Sequence, residues 1–129
     1  MSDNLILDTC ALIWLATGSA RLSKKTLVII NKVDVVFVSA ITAWEISLKA
    51  ARNQLEFSLP PLTWFRKSIH AHSLTLAKLS VEILVAANEL PWHHRDPADR
   101  FIIATAKMDN LQVVTTDARF EDYDLKTLC

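Results

Sequence analysis

The chain has a single glycine, two cysteines and no excess of either charge, and each scarcity closes off a class of function. Gly18 alone cannot build the glycine-rich phosphate cradle of a P-loop or of a dinucleotide-binding turn. Cys10 and Cys129 do not form a spaced framework, so neither a disulfide scaffold nor a zinc cluster is expected. Lys plus Arg and Asp plus Glu stand at 14 each. No global field therefore draws the chain to nucleic acid or to an anionic membrane, and any such contact must come from a local patch. No run approaches the ~20 apolar residues of a membrane span. The opening "MSDNLILDTC" has an acid where a secretory signal wants a basic region, and its apolar run is broken at Asp8 and Thr9. The expectation is a soluble, cytoplasmic protein with no membrane contact, and at 129 residues a single domain over residues 1–129.

Hydrophobic residues make up 51% of the chain, a high share for a small domain, and Trp14, Trp64 and Trp92 fall near expected element ends. That hints at an apolar surface used for association. "NLILD" at 4–8 reads as a buried strand ending at an acid, and "TCALIWLATG" as a helix stopped by Gly18. Ser23 is placed to cap a second helix, and "VVFVS" at 35–39 is a β-branched second strand. Ser39 precedes "AITAWEISLKAARNQ", in which Ile41, Trp44 and Leu48 suggest one apolar stripe. After a loop at Pro60, a helix runs from Pro61 to His72; "LTLAKLS" is either a short strand or a connector. "VEILVAANEL" is a helix stopped by Pro91, "PADRFIIATAKMDN" the next helix and "QVVTTD" the next strand. "ARFEDY" is a helical turn and "DLKTL" a last strand. Short apolar strands alternating with helices predict a three-layer α/β/α sandwich on a mainly parallel central sheet.

Parallel strands bring their carboxyl ends to one edge, where ligands of open α/β sheets bind. The first strand ends at Asp8, the second at Ser39, the penultimate at Thr115, Thr116 and Asp117, with Glu45 one turn or so past Ser39. Asp96 and Asp99 open the helix that begins at Pro97. Each acid has a bland explanation: Asp8, Asp96 and Asp117 as helix caps, and Glu45 as a partner of Lys49. Capping explains one carboxylate per helix start, however, not Asp96 and Asp99 together. "FIIATA" is apolar nearly all round, so Asp99 is expected to be partly desolvated beside other acids. A converging acidic cluster is what a hard divalent cation needs, Mg²⁺ or alternatively Mn²⁺.

The order "LILDTCALIW", "VSAITAWEISLKAARNQL", "LPWHHRDPADRFIIATA", "LQVVTTDARFEDY" resembles the PIN domain, and within it the toxins of the VapC type from bacterial type II toxin–antitoxin pairs. The resemblance covers nearly the whole chain, and the motifs follow in order. It implies a catalytic and metal-binding quartet of Asp8, Glu45, Asp99 and Asp117, with Thr9, Ser39 and Thr116 orienting carboxylates or waters and Asp96 capping. One departure is Ala98, where relatives usually carry a large aromatic. The implied activity is Mg²⁺-dependent hydrolysis of RNA by a metal-activated water, which needs no side-chain nucleophile. The implied partners are the RNA substrate, a small cognate antitoxin and a second copy in a homodimer. Lys49, Arg52, Arg95, Arg100 and Arg119 flank the acidic motifs and are candidates for the RNA backbone; for Lys49 and Arg100, pairing with the acids competes with that role. His93 and His94 read as loop histidines in preference to zinc ligands, since no Cys or His lies at useful spacing.

Two other α/β readings fit less well. A phosphoacceptor receiver wants paired acids after the first strand, where Asp8 is followed by Thr9, and a haloacid-dehalogenase-like site wants an acid at Cys10. A PIN-like domain acting only as a binding module would be expected to have lost acids of the quartet. The RNA sequence cut and the number of metal ions are not legible.

Overall fold

Three-residue strands carry most of the sheet in the computed structural model, which describes residues 4–129. In chain order the elements are β1 Leu5–Leu7, α1 Thr9–Thr17, α2 Lys24–Lys32, β2 Val36–Ser39, α3 Ala40–Ala51 and α4 Pro61–Ala71. There follow β3 Thr75–Ala77, α5 Val81–Glu89, α6 Pro97–Asp109, β4 Gln112–Val114, a 3₁₀ turn at Ala118–Tyr123, and β5 Thr127–Leu128. The sheet order is β3-β2-β1-β4-β5, with every pairing parallel. The stretch that the sequence left open between strand and connector is edge strand β3, paired to β2 through Phe37 and Thr75.

The pleat explains the layers. Leu5 and Leu7 of β1 turn to one face, with Val36, Val38 and Val114, and meet Leu12 and Leu15 of α1, Ile30 of α2, Ile46 of α3 and Phe65 of α4. Ile6 and Val113 turn to the other face and meet Ile102, Ile103 and Ala106 of α6 with Phe120 and Tyr123. Helix α5 packs on the outer side of α6 through Ile83, Ala87 and Ala104. Helices therefore cover both faces, as a parallel sheet requires. Among the described residues, no helix is long and apolar enough to cross a membrane.

Helix ends follow local chemistry. Ser23, Ser39 and Ser80 cap α2, α3 and α5 with side-chain oxygens that accept from Thr26, Ile41 and Ile83 amides. Gly18 ends α1 at φ 68°, a left-handed turn that a side chain would resist. The stripe on α3 is not the expected one. Thr42 and Ile46 are its buried residues, and Trp44 is 54% exposed. Trp44 is two positions from each, and at ~100° per residue that places it on the opposite side of the helix.

Strands β1 and β4 are adjacent, yet the chain reaches β4 only after building β2 and β3 on the other side of β1. Their carboxyl ends are thus the point where strand order reverses, and they carry Asp8 and Thr115 to Asp117.

Candidate metal centre

Asp8 leaves β1 directly into α1 and caps it, Oδ1 accepting from the Ala11 amide at 2.8 Å. Its Oδ2 accepts from the Thr115 hydroxyl at 2.5 Å. The Thr115 oxygen in turn accepts from the Asp117 amide at 3.0 Å, so one buried threonine ties two acids together across the β1–β4 seam. The sequence pointed to the neighbouring Thr116; that residue is exposed, because the chain leaving β4 turns Thr115 inward and Thr116 out. Burial raises the Asp8 carboxyl, and the Thr115 and Ala11 hydrogen bonds oppose that rise in part.

Asp99 stands in the first turn of α6. Asp96 caps that helix, its Oδ1 accepting from the Ala98 amide at 2.9 Å and the Asp99 amide at 3.4 Å, and Pro97 takes the first helical position. Burial pushes the Asp99 carboxyl up to about 8, and the charges of Asp96, Glu45, Asp8 and Asp117 add to the rise. No described Lys or Arg pairs with it. Asp117 behaves oppositely although it lies close by. The Arg119 side chain holds it down to about 2 through a two-pronged contact, Nε to Oδ1 at 3.0 Å and Nη2 to Oδ2 at 2.8 Å.

Glu45 projects from α3, and its Oε1 is buried without a hydrogen-bond partner. Among the described residues Lys49 forms no ion pair with it. A buried carboxylate oxygen without a partner is costly unless a cation meets it. Together with the uncompensated Asp99, this is the observation by which the residues present fit a hard divalent ion. The donors are carboxylate oxygens, the set that Mg²⁺ or Mn²⁺ takes. Asp8, Glu45, Asp99 and Asp117 would hold it.

Sequence reasoning missed His94. It is 1% exposed, and its Nε2 lies 2.9 Å from Asp117 Oδ2 and 3.0 Å from Asp99 Oδ2. These three side chains offer ligand atoms within 4.8 Å of one another. No spacing in the sequence separates His94 from its exposed neighbour His93; only the turn into α6 buries one and not the other.

The remaining expectations divide. Ser39 is fully buried and caps α3, and Thr9 reaches the Thr42 hydroxyl at 3.4 Å, so both join elements and neither touches a carboxylate. Arg52, Arg95 and Arg119 are exposed and Lys49 half-buried, open to a backbone partner, with Arg119 already engaged by Asp117. Arg100 is a correction. It is 2% exposed and turns away from the acids, so it cannot reach RNA. Its Nη2 donates to the Ala87 and Leu90 carbonyls at 2.6 and 2.9 Å, and its Nη1 to those of His94 and Pro91 at 2.8 and 3.0 Å. The Trp92 ring covers it at 3.6 Å. The guanidinium gathers carbonyls at the end of α5 and in the following loop, of which those of Ala87, Leu90 and His94 have no other described donor.

Comparison with known proteins agrees with this geometry. The chain is 28% identical over 120 residues to Ribonuclease VapC22 of Mycobacterium tuberculosis, covering 92% of this chain and 91% of the relative. Its fold matches VapBC2 from Rickettsia felis, solved bound to a promoter DNA fragment, with a TM-score of 0.73, 14% identity and 97% of each chain covered. It also matches DNA-bound VapBC from Salmonella typhimurium, with a TM-score of 0.69, 18% identity, and 97% and 96% covered. The family model described as the PIN domain matches residues 5–126, and with the fold and the acidic edge already in place, the chain belongs to the PIN domain family.

Proposed function

We propose that the protein is a Mg²⁺-dependent endoribonuclease, with Mn²⁺ as an alternative ion, and the toxin of a type II toxin–antitoxin pair in the cytoplasm. The observation that carries the reading is the acidic edge itself: Asp8, Glu45, Asp99 and Asp117, with Asp99 raised to about 8 and a Glu45 oxygen buried without a partner. The name of the M. tuberculosis relative supports a ribonuclease, and the VapBC complexes among its structural neighbours support an antitoxin partner. A homodimer belongs to the same reading.

When bound, the cation supplies charge neutralisation at the scissile phosphate and a water acidified toward hydroxide. Asp8, Glu45 and Asp99 would hold it, and Asp117 would close the rim. Thr115 keeps the Asp8 carboxylate turned toward the edge. Arg119, held beside the site by Asp117, supplies positive charge for the RNA backbone, with Arg95, Lys49 and Arg52 as further exposed or half-buried candidates. No side chain has to act as nucleophile.

The test is cleavage of total cellular RNA by the purified chain with Mg²⁺, with Mn²⁺ and with EDTA, beside Asp8→Asn and Asp99→Asn. Discrete products that require metal and vanish in both variants are expected. Folded protein that neither cleaves under any condition nor binds Mn²⁺ would return the acids to helix capping alone.

A further inference from the structure

His94 is fixed from every side. Its backbone amide donates to the Tyr123 hydroxyl at 2.8 Å, and its carbonyl accepts from Arg100 at 2.8 Å. The Phe120 ring meets the imidazole edge-on at 5.8 Å. Tyr123 is anchored in turn, donating to the Pro91 carbonyl at 2.6 Å. The ring cannot swing, so its tautomer decides what it offers to the acids. The Asp96 backbone amide donates to Nδ1 at 3.2 Å. Nδ1 is therefore an acceptor without a proton, and the proton sits on Nε2, where Asp117 Oδ2 accepts it at 2.9 Å.

From this we infer that His94 is a positioning residue and not a metal ligand: its Nε2–H holds the Asp117 carboxylate beside Asp99. Coordination through Nε2 would move the ring proton to Nδ1, where it would confront the Asp96 N–H, itself fixed by the cap at the start of α6. A nitrogen grouped with two carboxylate oxygens looks like a third ligand, but here it is the hydrogen-bond donor that brings acids from α6 and from the end of β4 together. This deepens, and rests on, the reading of the acidic edge as a cation site.

The experiment is long-range ¹H–¹⁵N NMR of the histidine rings in the full chain, without metal and with saturating Mg²⁺, assigned with His94→Gln. The expected result is a protonated Nε2 and an unprotonated Nδ1 in both states. A proton on Nδ1 in either state would overturn the inference. Mn²⁺ binding supplies the second arm: His94→Ala should lose roughly 10-fold in affinity, and His94→Gln, which restores a donor N–H, should recover most of it. Wild-type affinity in His94→Ala would show that the donor positions nothing. A metal-free protein with the expected tautomer that fails to bind Mg²⁺ or Mn²⁺ would instead remove the cation-site reading, and with it any positioning for metal.

Discussion

Asp99→Asn should make the metal-free protein more stable while abolishing its response to Mg²⁺. The Asp99 carboxyl stands at about 8 in the fold against 3.8 for the ordinary group, with burial as the first cause. Between those values the native state holds a proton that the unfolded chain has released. The contribution to stability is therefore complete below pH 3.8 and lost as pH rises through about 8. A rise of this size corresponds to on the order of 5 kcal/mol if fully expressed, with a slope of at most ~1.4 kcal/mol per pH unit. The side chain keeps 19% of its surface exposed, and the neighbouring acids share the protons. We therefore expect the wild type to lose ~2–3 kcal/mol between pH 5 and pH 8 that Asp99→Asn does not lose. The assay is urea unfolding in EDTA at pH 5, 6, 7 and 8. In a parallel series at pH 8, Mg²⁺ at ~100 times its Kd should restore ~2.7 kcal/mol to the wild type and nothing to the variant. Equal pH slopes for the two proteins would refute the claim that Asp99 is an uncompensated buried acid.

Three further outcomes follow from the same geometry. Arg100→Met should lower stability by ~3–5 kcal/mol in urea unfolding, because the Ala87, Leu90 and His94 carbonyls lose their donor, while that of Pro91 keeps the Tyr123 hydroxyl. Thr115→Val should weaken Mn²⁺ binding in calorimetric titration by ~10-fold, by freeing Asp8 Oδ2, whereas the exposed Thr116→Val should leave it unchanged. Arg119→Ala should raise the Asp117 carboxyl from about 2 toward the ordinary range, seen as a carboxyl ¹³C titration. Its held-down ionisation supports the fold above pH 3.8 and is lost as pH falls through about 2; the variant lacks most of this contribution, so its stability falls less steeply between those two values.

The layered fold was legible because its signals are local and repeated: apolar strand cores at Leu5–Leu7 and Val36–Ser39, serine caps, and prolines at helix starts. The acids were legible because parallel strands must deliver their carboxyl ends to one edge. Three things were not. Trp44 looked like a member of an apolar stripe, and only the packing of Thr42 and Ile46 shows which side of α3 is inside. Thr115 and Thr116 are chemically equivalent in the sequence, and the direction of the chain leaving β4 separates them. Arg100 and His94 depend on each other, since the loop that buries the histidine is held by the arginine's bonds to its carbonyls. A reading that takes residues one at a time assigns both to the surface, because charged and loop residues usually lie there.

The strand order also bears on how the protein is made. Every ladder is parallel, so no strand pairs with its immediate successor through a tight hairpin, and β1 must wait for Gln112–Val114 before its second side is filled. Closing so long a loop favours slow folding, with late consolidation of the seam where Asp8 meets Thr115. The acidic edge draws its members from four distant segments and has no local precursor in a partly folded chain. On the proposed function, phosphodiester cleavage should therefore appear with the last step of folding, as a switch and not as a gradual gain, and refolding followed by tryptophan fluorescence and by RNA cleavage should give the same final rate.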